Sequence, residues 1–106
     1  MKAGDTAPAV RAVLLDADGA PVNLTGATVR FIIATKTTPR TAAVDAEATV
    51  DTEPGTVIYE WVAGDTAEPG DYDAEFEVTY ADGRYQTFPT DGYVAAKIVD
   101  DLGGTV

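Results

Sequence analysis

Apolar and polar residues alternate most cleanly between Tyr72 and Tyr80. Tyr72, Ala74, Phe76, Val78 and Tyr80 fall on one side, and Asp73, Glu75, Glu77 and Thr79 on the other. A period of two marks a strand with one face on a core and one in water. The wet face carries three carboxylates and no cation. The same period recurs along the chain. Val29, Phe31 and Ile33 line one side of the segment 27–34, and apolar Ile32 on the other side predicts a central strand. Val44, Ala46, Ala48 and Val50 alternate with acids over 43–51, and Val57, Tyr59 and Trp61 share a face over 56–62.

Weaker patterns complete the set. Val10, Ala12 and Leu14 predict a first strand over 8–15, and Pro21–Leu24 a short extended piece. Residues 84–88 pair back on the 72–80 strand through Asp82-Gly83, read as a two-residue hairpin turn. A last strand is expected over 92–100, with Val94, Ala96 and Ile98 on one face. No stretch has a helical period. Turn signals every eight to twelve residues between seven or eight short strands predict an all-β, two-sheet antiparallel sandwich. One domain over residues 1–102 is expected, with 103–106 as a flexible tail.

Composition then removes whole classes of chemistry. The 106 residues include no Cys, no His and no Ser. Ser-His and Cys-His nucleophiles are excluded, as are thiolate and imidazole metal ligands. Eighteen acidic against seven basic residues give a net charge of −11, and from Thr41 to Gly83 twelve acids occur with no Lys or Arg. Nucleic acid and anionic membranes are therefore disfavoured as partners. No apolar run has the length of a membrane span. Residues 1–6 lack the apolar core of a secretory signal, so synthesis in a cytoplasm without general export is expected.

The remaining candidates are carboxylates, aromatics and one cationic loop. Asp16-Ala17-Asp18-Gly19 opens like a calcium loop, but the twelfth position is Ala27 rather than Glu, so a plain turn is expected; Asp100 and Asp101 are the carboxylates a second loop would add. Glu60, Asp73, Glu75 and Glu77 have the spacing of a glycosidase pair, yet a flat sheet face offers no cleft, and no enzyme and no cofactor are expected. Tyr59, Trp61 and Tyr80 are expected in the core or at sheet edges. Tyr85 and Tyr93, near turns, are the candidate glycan contacts. Asn23-Leu24-Thr25 has the form of a glycosylation sequon but is read as a structural corner. Lys36 and Arg40 lie in the loop 35–41, a candidate for docking on an acidic patch of a neighbouring copy.

Several pieces occur together in order: Gly4-Asp5-Thr6-Ala7-Pro8, Leu15-Asp16-Ala17-Asp18-Gly19, Pro21 to Val29 with Leu24-Thr25-Gly26, Tyr59-Glu60-Trp61, Gly64-Asp65-Thr66, Pro69-Gly70-Asp71-Tyr72, Asp82-Gly83-Arg84 and Thr87-Phe88-Pro89. This ordered set, spanning nearly the whole chain, resembles the immunoglobulin-like N-terminal domain of tailed-phage upper baseplate proteins and related phage tail and virion proteins. The resemblance implies an immunoglobulin-like sandwich and a structural corner at Leu24 and Gly26. Gly70-Asp71-Tyr72 resembles the tyrosine corner of such sandwiches. The resemblance also implies a non-enzymatic component of a virion's tail or baseplate, serving assembly and host attachment, oligomeric, and in contact with other virion structural proteins. A head decoration or spike protein is the neighbouring alternative, and a carbohydrate-binding module the alternative of another class.

Overall fold

In the computed structural model, residues 1–89 and 94–98 are described. They form seven strands and no helix: β1 (Val10–Val13), β2 (Thr28–Thr35), β3 (Ala42–Val50), β4 (Thr56–Tyr59), β5 (Gly70–Thr79), β6 (Tyr85–Phe88) and β7 (Val94–Ile98). Every pairing is antiparallel. The order is β1-β4-β3-β2-β5-β6, with β7 pairing β5 below β6. The expected all-β class and sandwich stand. The expected tail 103–106 and the ends of the last strand lie outside the described residues.

One strand joins the two layers. The first part of β3 pairs β2, from Ala42↔Ala34 to Ala48↔Val29. Its end pairs β4 through Thr49↔Ile58 and Val50↔Val57. The sheet therefore curls at β3, laying β1 and β4 over β2 and β5. Alternation decides which side chains meet inside. Val29, Phe31 and Ile33 of β2 are buried, as are Val57 and Tyr59 of β4 and Tyr72, Ala74, Phe76 and Val78 of β5. Phe31 is the centre of contact between the layers. Its ring lies 4.9 Å from Tyr59, 5.7 Å from Trp61 and 5.0 Å from Phe76, centroid to centroid. Burying each such side chain stabilises by roughly 1.5–3 kcal/mol, and edge-on ring contacts add to that.

Two hairpins use one device. Gly19 N–H donates to Asp16 O while Asp16 N–H donates to Ala20 O; likewise Gly83 N–H donates to Tyr80 O while Tyr80 N–H donates to Arg84 O. Each loop has three residues, ending in a glycine at φ +80° and +88° respectively. The Asp82-Gly83 turn is thus longer by one residue than the two-residue form expected. The right-handed strand twist accepts a type I turn followed by a left-handed glycine equally well.

Candidate functional site

The chain's polar groups are largely committed to its own loops. Asp16 Oδ1 accepts the amides of Asp18 at 2.9 Å and Ala20 at 3.0 Å, so this carboxylate closes its turn. Among the described residues no group of three carboxylates could hold a metal ion. Asp100 and Asp101 lie outside them.

The cationic loop folds back onto its own sheet. Ala34 of β2 stands opposite Asp73 of β5, so the loop leaving β2 passes directly over that carboxylate. Arg40 reaches Asp73 at 2.8 Å and Lys36 at 3.5 Å. Arg40 also donates to Thr35 O, and Thr35 Oγ1 accepts Thr41 N–H, which fixes the loop's shape. The hydrogen bond from Arg40, opposed by burial and reinforced by the charges of Lys36 and Arg40, holds the Asp73 carboxyl below its ordinary range. The two docking candidates therefore form one clamp inside the molecule.

Tyrosine hydroxyls among the described residues also have internal partners. Tyr85 stands 60 % exposed on β6. A hydrogen bond to Glu77 raises its hydroxyl's pKa first, with slight burial and the charge of Glu77 adding to it. The Tyr80 hydroxyl bonds Gln86 Oε1 at 2.7 Å. Tyr93, the other glycan candidate, lies outside the described residues. Leu24 is buried, Gly26 has φ +73°, and the Tyr72 hydroxyl donates to Glu68 O at 2.7 Å. That last bond has the geometry of a tyrosine corner.

The segment Gly64-Asp65-Thr66 has a structural explanation that its composition did not reveal. Asp65 Oδ2 accepts both the Tyr59 hydroxyl and Val62 N–H. Burial, then the bond to Asp65 and its negative charge, push the Tyr59 hydroxyl up to about 12. Thr66 Oγ1 donates to Asp5 O at 2.8 Å, and Gly4 N–H to Thr66 O at 2.9 Å. Trp61 Nε1 donates to Pro8 O. Together these contacts strap the lead-in 4–8 to the end of β4.

An apolar concavity lies between β1 and the β5–β6 side of the sandwich. It measures about 590 Å³. Phe31, Trp61 and Phe76, Ala12 and Leu14, and Phe88 and Pro89 line it; Glu75 borders it between inward-facing Ala74 and Phe76, its own side chain directed by alternation to the outer face of β5. Burial first, and repulsion by Glu77 second, raise the Glu75 carboxyl, while Arg40 pulls it down. The slot exists because β1 ends the strand order on this side. Leu14 N–H donates to Gly55 O, in register with Val10↔Tyr59 and Ala12↔Val57. These three residues thus turn their backbone groups to β4. By alternation, Arg11 and Val13 turn theirs outward.

A family model described as the BppU N-terminal domain matches residues 1–101. No curated protein and no solved structure matches the chain.

Proposed function

Because the chain belongs to the BppU N-terminal domain family, a family of phage baseplate structural proteins, we propose that it acts as a rigid, non-enzymatic module of a tailed-phage baseplate. It works by shape. Repeated copies occupy symmetry-related positions in the virion and contact other structural proteins along strand edges and the slot. The match over residues 1–101, which covers the whole sandwich rather than one motif, carries this reading. The internal use of Asp16, Asp65 and Asp73 supports it, because side chains placed to shape loops are poorly placed to turn over a substrate.

Mass spectrometry of purified particles, fractionated into heads and tails, tests the proposal. The chain is expected in the tail fraction, at a copy number set by the tail's symmetry. Recovery in the head fraction would establish the decoration alternative, and absence from particles would end the reading. Glycan binding by the purified chain that is lost in Tyr85→Ala would make it a carbohydrate module instead.

A further inference from the structure

Beside the apolar slot runs a strand edge that the fold leaves unused. Among the described residues no strand pairs with the outer side of β1. Arg11 and Val13 present N–H and C=O groups along it. Strand edges left open are templates for another chain, and proteins ordinarily blunt them with charge, proline or a bulge. The β1–β4 register runs without a bulge. Its one charge, Arg11, is drawn to Asp51 at 3.8 Å. Val13 and Leu15 are 47 % and 49 % exposed beside it.

We propose that β1 accepts an extended segment of a different virion protein, added as a strand, whose alternate apolar side chains enter the slot over Phe31, Trp61 and Phe76 and whose Lys or Arg meets the negative field of the domain. This rests on the baseplate reading above and names the partner's chemistry. Strand addition combines main-chain bonds for affinity with pockets for every second side chain, and both halves of that arrangement are present here. A slot of about 590 Å³ lies within the range of clefts that enclose ligand groups. Charge selects the occupant. A second copy would bring another −11 body against this one along a four-residue strand. A segment that carries Lys or Arg brings the opposite sign of charge to this acidic domain.

The test uses particles assembled with Val13→benzoylphenylalanine, irradiated and digested for mass spectrometry. The expected adduct joins position 13 to one segment of another virion protein that alternates apolar and polar residues and carries a Lys or Arg. An adduct to a second copy of this chain, an adduct to a segment without that pattern, or no adduct in particles that contain the chain overturns the inference. Particles that lack the chain, seen before irradiation, overturn the baseplate reading and this inference with it. A second arm separates backbone from side chain. Val13→Pro deletes an outward N–H that takes no part in the β4 ladder, a placement strands tolerate. Its particle occupancy should fall at least tenfold below that of Val13→Ala, which keeps the N–H, while the far-ultraviolet spectra of the two agree. Equal occupancies refute strand addition.

Discussion

Removing one oxygen from Tyr72 isolates the corner from the core. The ring is 5 % exposed at the start of β5, and its hydroxyl donates to Glu68 O at 2.7 Å. Tyr72→Phe keeps the ring and deletes that bond. A neutral hydrogen bond contributes a net ~0.5–1.5 kcal/mol. Glu68 is exposed, so its carbonyl regains water and the larger penalty for a buried orphan does not apply. The expected loss is about 1 kcal/mol. With a urea slope of about 1.5 kcal/mol/M, the unfolding midpoint falls by about 0.7 M and the slope is unchanged. Trp61 is the single tryptophan and touches Phe31 and Tyr59, so its fluorescence reports the core directly. Tyr85→Phe, at a 60 % exposed ring, is the comparison and should move the midpoint by less than about 0.2 M. A Tyr72→Phe shift no larger than that of Tyr85→Phe would refute the reasoning. So would a lowered slope, because it would mean that the loop before β5 unfolds separately from the sandwich.

Three further outcomes follow from the same geometry. The Glu75 carboxyl is raised above its ordinary 4.5, so the fold disfavours its charged form, and the associated stability is complete below pH 4.5 and lost as pH climbs through the raised value. Glu75→Gln should therefore be more stable than the parent at pH 7 and equal to it near pH 3.5, as read by urea midpoints. Tyr59, held at about 12, should ionise well above the ordinary 10 in a titration at 295 nm, and Asp65→Asn should bring it down. The fold's preference for the neutral phenol is present below pH 10 and lost between 10 and 12. Gly55→Ala combines a left-handed φ of +67° with a Cβ 2.9 Å from Leu14 O and Pro21 Cβ, whereas Gly19→Ala at +80° meets nothing within 4 Å. The backbone term of about 1–2 kcal/mol is common to both, so a thermal melt should show Gly55→Ala clearly the worse.

The inner faces of β2, β3 and β5 were legible because a sheet with one wet side writes its orientation as alternation. Strand ends were less legible. The first strand was expected to reach Leu15; β1 ends at Val13, Leu14 N–H continues the register to Gly55 O beyond it, and Leu15 forms an isolated bridge to Pro21. The clamp at Asp73 was invisible for another reason. Lys36 and Arg40 lie more than thirty residues from it in sequence, and the register Ala34↔Asp73 alone brings them together. Read along the chain, Asp73 belonged to an uncompensated acidic face; in the fold it is a paired residue. Asp65 and Thr66 stood within one piece of the ordered set, Gly64-Asp65-Thr66, but their partners Tyr59 and Asp5 become neighbours when the lead-in crosses the end of β4. The open side of β1 depends on strand order, which no local pattern encodes.

Charge and topology together limit what can bind. Among the described residues five of the basic side chains form ion pairs within the domain: Arg11 with Asp51, Arg30 with Asp45, Lys36 and Arg40 with Asp73, and Arg84 with Asp82. Eighteen acids cannot be matched by so few cations, so the field around the molecule stays negative. A partner gains by bringing apolar surface to the slot, positive charge to the acidic surface around it, or both. Exposed charge contributes chiefly to encounter rate and to rejection of wrong partners, and salt screens it. Apolar burial in the slot is insensitive to salt at these concentrations and sets how long the partner stays. Added salt should therefore slow assembly onto this domain far more than it loosens a particle already assembled. The converse, salt stripping the chain from finished particles at an unchanged association rate, would mean that surface charge rather than the slot holds the partner.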